Sequence, residues 1–396
     1  MPHRTTSAGT PFLARLRRAA LAVLVLGGVA ACEVPSPRGT VGGAGVGGDG
    51  PVQVALLVPY GSARGSDGTV ARSLENAARL AVADLGPGAV NLAVFPTQGT
   101  PGGAQAAAQQ AIAGGAQVIL GPLYAENAAA AGVAAAGSGI PVLSFSNNTD
   151  IAGGNVWVLG NTFQNTASRI LAFAASQGRD RVVLTHADTA AGAVARDAVL
   201  QAGARTGAQI TGTVGYGLSQ AGISAAVPTI AEAARGSNAN AVFLTGNTAG
   251  DLPVISQLLS ETGIGGEAFR YLGLTRWDVP SEALELSSLQ GGYFTLPDPN
   301  ATAQFRSRYA ANYGGGPHPL AGLAYDGIAA VGAIAARGQT VGRSTLTAGG
   351  GFAGTGGVFR LLGDGTNQRA LAVAQVVNRT AQVVSPAPSS LRGAGF

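Results

Sequence analysis

The sequence contains no lysine, a single cysteine and few charged side chains. Only 11% of its 396 residues are charged, and all 24 basic side chains are arginines. Without lysine the chain has no Schiff-base nucleophile and no Walker A phosphate loop, because that loop requires a lysine. With one cysteine it forms no intrachain disulfide and no cysteine-based zinc site. These absences exclude several enzyme classes, and we predict no cofactor.

Glycine and hydrophobic residues are abundant instead. The chain has 62 glycines without a triplet period, which excludes collagen, and 46% of its residues are hydrophobic, which excludes a disordered polyampholyte. Its length suits two or three domains. The formal net charge of +4 would indicate an acidic partner such as nucleic acid if the whole chain carried it.

The N-terminus has the pattern of an export signal. A basic segment precedes an uncharged apolar stretch from Ala19 to Ala31, which is shorter than the about 20 residues that a membrane-spanning helix needs. Removing residues 1–31 takes away four arginines and leaves 20 arginines and 20 acidic residues. The excess positive charge therefore belongs to the signal peptide, and we predict no nucleic-acid partner.

The cleavage region ends on the only cysteine. Val29-Ala30-Ala31-Cys32 resembles the lipobox of bacterial lipoproteins. The resemblance implies that Cys32 is lipidated and anchors the protein to a membrane. Glu33 replaces the aspartate typical of inner-membrane retention, which favours the inner leaflet of the outer membrane, on the periplasmic side. The alternative is a free cysteine behind an ordinary signal peptide.

Residues 32–50 are rich in proline and glycine and predict a flexible tether. This segment contains a GxGxxG match at Gly43, Gly45 and Gly48. A dinucleotide fingerprint follows a strand and opens a helix, whereas this match precedes the first predicted strand. We therefore assign it no nucleotide-binding role.

From residue 51 onward, short apolar runs alternate with helical patterns. Strands over 52–58, 90–95 and 118–120 are separated by helices over 70–85 and 105–113, and the same alternation returns between residues 165 and 297. Such an order predicts an α/β protein with two Rossmann-like lobes, each built on a parallel sheet.

The late helices, between residues 302 and 336, are expected to return to the first lobe. We predict a first lobe of residues 51–163 with 298–340, and a second of 164–297 with 341–384. Residues 385–396 are expected to be disordered. Several chain crossings would then form a hinge beside a cleft.

Four segments carry a family resemblance, namely Ala55–Pro59, Val118–Leu123, Ile140–Asn147 and Ala324–Asp326. Their order over residues 52–361 resembles that of type I periplasmic binding proteins of the Leu/Ile/Val-binding group. The resemblance implies a non-enzymatic protein that closes its two lobes on a small polar ligand and delivers it to an ABC permease.

Three segments resemble a subgroup more closely, the penicillin-binding protein activators. They are Leu143–Asn147, Val156–Gly160 and Ala174–Gly178. This resemblance implies a lipoprotein that binds a penicillin-binding protein and regulates peptidoglycan synthesis, which is our first functional hypothesis. The alternative is a solute-binding protein of an ABC transporter for amino acids or another small polar metabolite. Regions 186–192 and 245–248 lack the aromatic residue that closes on the ligand in amino-acid-binding members.

Polar residues at the predicted carboxyl ends of strands form the candidate cleft, because ligands of open α/β sheets bind there. Free N–H groups of the helix after Gly121-Pro122 could bind an oxygen. The alternatives are ordinary turns, helix capping for Tyr325 and Asp326, and core packing for Trp277. The candidate ligand residues are Gly121, Pro122, Ser144, Ser146, Asn147, Asn148, Thr149, Trp277, Asp278, Tyr325 and Asp326.

No catalytic or metal-binding pattern emerges. His186 and His318 are far apart and neither has a further ligand type at metal-binding spacing. There is no Gly-x-Ser-x-Gly elbow, although a Ser-His-Asp triad is recognised by geometry rather than by spacing. We therefore predict no metal site and no enzyme.

Overall fold

The computed structural model describes residues 50–391. The predicted signal peptide, the lipidation site Cys32, the tether up to residue 49 and residues 392–396 lie outside the described residues. The strands are β1 (Val52–Val58), β2 (Val90–Pro96), β3 (Val118–Leu120), β4 (Val142–Ser144), β5 (Val156–Val158), β6 (Arg181–Ala187), β7 (Gln209–Tyr216), β8 (Ala241–Leu244), β9 (Arg270–Gly273), β10 (Tyr293–Pro297), β11 (Phe352–Gly354), β12 (Gly357–Leu361), β13 (Asn367–Arg369), β14 (Leu371–Val377) and β15 (Thr380–Ser385). The α-helices are α1 (Asp67–Leu85), α2 (Pro101–Ala113), α3 (Ala125–Ala136), α4 (Phe163–Ser176), α5 (Ala190–Thr206), α6 (Gln220–Gly236), α7 (Leu252–Glu261), α8 (Pro299–Tyr313), α9 (Ala321–Ala335) and α10 (Arg343–Leu346).

The first lobe is built on a five-stranded parallel sheet in the order β2-β1-β3-β4-β5. Its central strands are short apolar runs that are buried on both faces, as a sheet covered by helices requires. Helices α1 and α9 pack closely together. A Cβ at Gly332 would stand 2.4 Å from Leu85 Cδ1, so a larger residue there would displace the Leu85 side chain.

The second lobe contains a seven-stranded sheet in the order β15-β14-β10-β9-β8-β6-β7. Strands β6 to β10 pair in parallel, whereas β14 and β15 add to one edge as antiparallel strands. The prediction of an α/β fold with two parallel-sheet lobes is thereby confirmed. The antiparallel edge was not foreseen.

Three helices begin with the same kind of side-chain N-cap. Thr100, Thr189 and Ser219 precede α2, α5 and α6, and each hydroxyl accepts a hydrogen bond from the N–H of the residue three positions later. That residue is always a glycine. A Cβ at Gly192 would stand 2.0 Å from the Ala187 carbonyl oxygen, so the helix can start this close to its strand only without a side chain.

The return of the chain to the second lobe comes later than residue 341, where we expected it. Phe352 and Phe359 belong to the hydrophobic core of the first lobe, together with Leu361 and Leu346. Strands β11, β12 and β13 form a small antiparallel sheet against α9, and only β14 and β15 join the second lobe. This segment stays with the first lobe because Phe352 and Phe359 bury their side chains beside α9. The first lobe thus comprises residues 50–162 and 298–369, and the second comprises 163–297 and 370–391.

Three chain segments join the lobes, at residues 159–163, 297–299 and 369–371. Asn367 ties the first to the third, because its Nδ2 donates to the carbonyl oxygens of Val158 and Gly160, at 2.7 and 2.8 Å. Its Oδ1 accepts from Asn165 Nδ2 at 2.8 Å. The first and third crossings are therefore held side by side.

The tail differs from the expected disorder. Ser385 ends β15, and Arg169 donates to its hydroxyl at 2.6 Å. Leu391 is only 2% exposed. Within the described residues the tail is packed, because β15 pairs with β14 and leads the chain back onto the second lobe. In the stretch from residue 50 to 391, no helix is both long and apolar enough to cross a bilayer.

Candidate functional site

A cavity of about 1010 Å³ lies between the lobes, and we call it the interlobe cavity. The second lobe contributes the loop after β9, residues 276–281. The first lobe contributes the start of α1, the start of α3 and the loop after β4. The wall is completed by α8, α9 and the crossing segments near Pro297 and Arg369. Carboxyl ends of parallel strands thus supply the loops, as the sheet topology dictates.

Five of the predicted residues line this cavity. They are Ser146, Asn147, Asn148, Asp278 and Asp326. Ser146 is buried, and its hydroxyl oxygen accepts from the Asn148 N–H at 3.1 Å. Asn147 is exposed to solvent. Whether these side chains bind a ligand stays a prediction.

The strand ends themselves are buried beneath the wall. Ser144 is fully buried and donates to the Pro122 carbonyl oxygen at 3.1 Å. A Cβ at Gly121 would stand 2.3 Å from the Leu57 carbonyl oxygen, so this glycine packs against β1. Gly121, Pro122, Ser144 and Thr149 do not line the cavity; Thr149 starts a 3-10 turn. Gly121, Pro122 and Ser144 are buried against the sheet, whereas Thr149 lies in a turn with no buried residue; a ligand-binding role for these four stays a prediction.

Two predicted aromatic contributions are also corrected. Trp277 is fully buried in the second-lobe core, where its ring lies 5.6 Å from that of Phe294. Tyr325 points away from the cavity and donates to Asp84 Oδ2 at 2.6 Å. Because α9 turns by about 100° per residue, Tyr325 and its neighbour Asp326 face different surroundings.

Two ion pairs of different burial line the cavity. Asp326 is 1% exposed; its Oδ2 accepts from Arg369 Nη1 at 2.9 Å and its Oδ1 from the Thr355 N–H at 2.7 Å. Arg369 Nε also donates to the Leu159 carbonyl oxygen at 2.8 Å, which links the pair to a crossing segment. On the opposite wall Arg276 Nε donates to Asp278 Oδ1 at 2.9 Å, and both side chains are partly exposed.

Sequence patterns missed other charged and aromatic lining residues. Asp67 begins α1, and its Oδ1 accepts from the Tyr124 hydroxyl at 2.6 Å. Arg306 and His318 come from α8 and the loop after it. A usable signal existed for Tyr124, because it directly follows Gly121-Pro122-Leu123 at a predicted strand end. No local pattern indicated the others, since they reach the cavity only through the fold.

The surroundings of two side chains in the wall of the interlobe cavity shift their pKa values. Burial lowers the pKa of His318, which favours the neutral imidazole. Burial, together with the hydrogen bond to Asp67, raises the pKa of Tyr124. Both side chains are therefore uncharged near neutral pH.

A smaller cavity of about 570 Å³ lies at the carboxyl edge of the second-lobe sheet, and we call it the second-lobe cavity. Four of its hydroxyl side chains are engaged with the protein itself: Thr189 and Ser219 cap helices, and Thr245 and Thr275 donate to the carbonyl oxygens of Thr185 and Gly246. The apolar lining residues are Phe163, Ala187, Ala191, Ala195, Leu218, Ile223, Ala249 and Val254.

The one acid of this second cavity is also engaged. Asp251 accepts from the Asn247 N–H at 2.7 Å and from the buried Tyr216 hydroxyl. Over residues 50–391, no three His, Cys, Asp or Glu side chains gather as metal ligands would.

Comparison with known proteins identifies the fold. The profile of the periplasmic binding protein family matches residues 51–381. The chain belongs to the periplasmic binding protein family. No curated protein matches it. As members of that family act in the periplasm, the family also indicates a periplasmic location.

Several solved structures share the fold. One is a branched-chain amino acid ABC transporter periplasmic ligand-binding protein from Burkholderia xenovorans, with 17% identity over 85% of this chain and 96% of that chain and a TM-score of 0.67. An ABC transporter substrate-binding protein from Sphaerobacter thermophilus shares 19% identity over 86% and 98%, with a TM-score of 0.63. A third, from Desulfitobacterium hafniense in complex with Leu, shares 17% over 84% and 100%, with a TM-score of 0.62. The resemblance to type I periplasmic binding proteins is confirmed.

Proposed function

We propose that this periplasmic binding protein binds a small polar solute in the interlobe cavity and delivers it to an ABC permease. The observation that carries the proposal is a cavity of about 1010 Å³ whose walls come from both lobes. Its size falls near the upper end of ordinary ligand sites, about 300–1,000 Å³. Asn147, Asn148 and the two ion pairs supply polar groups, and closure about the three crossings would bring the walls together.

A thermal-shift assay across amino acids, amides and short peptides tests this proposal. A bound solute raises the melting temperature in proportion to the logarithm of its concentration above Kd. We expect at least one class of polar solute to raise it, and expect Asn148→Ala to weaken the effect. If no solute shifts the melting temperature, transport of these metabolites is refuted.

We also propose a lipid anchor at Cys32, placing the protein at the inner leaflet of the outer membrane. The support is the sequence around the only cysteine. Expression with radiolabelled palmitate should label the wild-type chain and leave Cys32→Ala unlabelled. Equal labelling of both would refute the anchor, and fractionation of the labelled protein would identify the membrane.

A second candidate is activation of a penicillin-binding protein. One observation favours it: Leu218, at the second-lobe cavity, is 62% exposed, as a side chain that contacts a partner would be. The loops near Thr189 and Asn247 also lack an aromatic residue that would close on a solute. The soluble chain should then raise glycan polymerisation by a purified penicillin-binding protein, and Leu218→Asp should abolish the increase. No increase with the wild-type chain would refute this candidate.

A further inference from the structure

The first crossing between the lobes turns over a very short stretch of chain, which its hydrogen bonds delimit. The Gly160 N–H donates to the Ser146 carbonyl oxygen of the first lobe at 3.1 Å. Two residues later the chain is attached to the second lobe, because the Thr162 hydroxyl accepts from the Asn165 N–H of α4 at 3.2 Å. A rotation between the lobes can therefore be absorbed at Asn161, the residue between these attachments.

The third crossing is equally short. The Ala370 N–H donates to the Val358 carbonyl oxygen of the first lobe at 2.8 Å. The carbonyl oxygen of the next residue, Leu371, accepts from Arg169 Nε of the second-lobe helix α4, also at 2.8 Å. The chain is thus held by one lobe up to Ala370 and by the other from Leu371 onward.

The second crossing changes lobe between Pro297 and Asp298. Pro297 ends β10 and pairs with β14 in the second-lobe sheet. The Asp298 N–H donates to the Gly356 carbonyl oxygen of the first lobe at 2.9 Å. Each crossing therefore passes from one lobe to the other within two residues, and few backbone torsions are available for a rotation of the lobes.

Beside the first and third crossings, a buried hydrogen bond joins the lobes through side chains. Asn165 Nδ2, on α4 of the second lobe, donates to Asn367 Oδ1, on β13 of the first lobe, at 2.8 Å. Both residues are buried, and Asn367 is fixed to its own lobe because its Nδ2 donates to the carbonyl oxygens of Val158 and Gly160. By contrast, every ion pair between residues 50 and 391 lies within one lobe.

We propose that the Asn165–Asn367 hydrogen bond is the hinge pin of the protein, a contact that persists while the lobes rotate about it. Asn165 follows Asn161 by four residues and Asn367 precedes Ala370 by three, so both amides lie next to turning points of the chain. Atoms near a rotation axis move least. Sliding or twisting the lobes apart would instead leave buried amide groups without partners, which is costly. The pin thus restricts the lobes to one rotation.

This inference goes beyond the proposed function, because it concerns the motion of the empty protein and requires no solute. Spin labels on the two lobes measure that motion. Cys32 is the only cysteine, so in a Cys32→Ser chain labels attach only to introduced cysteines. Ala63→Cys on the first lobe and Glu282→Cys on the second are exposed positions. Double electron–electron resonance then gives the distribution of distances between the labels.

Removing the pin should broaden this distribution. In Asn165→Ala we expect the population outside the wild-type distance range to rise about fivefold, as the loss of one buried hydrogen bond implies. Asn155→Ala is the matched control. Asn155 Nδ2 donates to the carbonyl oxygens of Gly132 and Ile140, both at 3.1 Å and both within the first lobe. The control should lower the melting temperature and leave the distance distribution unchanged.

Two results would overturn the inference. One is a wild-type distribution in Asn165→Ala. The other is equal broadening in Asn155→Ala, since the effect would then reflect a general loss of stability rather than a loosened hinge. If Asn165→Ala does not fold, Asn165→Ser takes its place, because it keeps a polar side chain in the first turn of α4. It should broaden the distribution in the same way, and an unchanged distribution would again overturn the inference.

Discussion

The two cavities lie at sheet edges of the same kind, yet their walls differ in chemistry. The interlobe cavity presents Asp67, Asp326 and Arg369, whereas the second-lobe cavity presents Leu218, Ala191 and Val254. Threonine, serine and asparagine are present in the second-lobe cavity too, but they cap helices or close loops. Residue type alone therefore does not tell which polar groups are available to a ligand. The hydrogen-bond partners decide it.

The largest expected effect is a loss of stability on breaking one of the two ion pairs of the interlobe cavity, the buried one. Asp326→Ala leaves Arg369 buried without its partner and should lower the free energy of unfolding by about 3–5 kcal/mol. Asp278→Ala removes the partly exposed pair with Arg276 and should cost less than about 1 kcal/mol. Urea denaturation measures both. Equal losses would contradict the difference in burial.

A second effect tests the close contact between strand β6 and helix α5 in the second lobe. Gly192→Ala places a Cβ 2.0 Å from the Ala187 carbonyl oxygen and should cost about 1–3 kcal/mol, because the helix start must shift. Gly102→Ala, where a Cβ meets nothing within 4 Å, is the matched control and should be neutral or slightly stabilising. Chemical denaturation compares them. A neutral Gly192→Ala would show that the junction is loose.

The two tryptophans offer a comparison between the lobes. Both are buried, but Trp157 Nε1 donates to the Leu362 carbonyl oxygen at 2.9 Å, whereas Trp277 Nε1 has no partner within residues 50–391. Trp157→Phe leaves the Leu362 carbonyl oxygen without its donor. It should therefore lower the free energy of unfolding by about 1–2 kcal/mol more than Trp277→Phe does. Thermal unfolding of the two variants gives the difference. A larger loss for Trp277→Phe would contradict this account.

The smallest expected effect concerns pH. Burial lowers the pKa of His318 below its ordinary value of 6.5. The unfolded chain therefore takes up this proton first, so stability should decrease as pH falls through 6.5 toward the lowered folded pKa. His318→Gln should flatten the stability profile over that window. If the variant and the wild type lose stability in parallel, another group is responsible.

The alternating pattern of the chain was predictable because each strand is a short apolar run bounded by turn residues. Strands β1 and β3 match their predicted bounds. Strands β11 and β13 were not predicted, since Phe352–Gly354 and Asn367–Arg369 carry no apolar alternation. They become strands only by pairing with β12, and this small sheet moved the lobe boundary.

Most of the lining residues that could be predicted follow a strand, and one more, Asp326, came from the family resemblance of its segment. Ser146, Asn147 and Asn148 come after β4 and lie on the wall. Asp67 and Arg369 belong to segments that reach the wall through the helix packing and the third crossing, which no local pattern encodes. Trp277 illustrates the converse: it adjoins lining residues in sequence, but its large apolar ring packs in the core.

The three crossings also have a consequence for biosynthesis. The first lobe is made of two stretches of chain, residues 50–162 and 298–369, and its core needs Ile328 and Phe359 beside Leu56. During translation the first-lobe sheet, β1 to β5, therefore lacks helix α9 until the whole second-lobe insert, residues 163–297, has been synthesised. Because incomplete domains expose apolar surface, this interval is when the nascent chain most needs protection from aggregation.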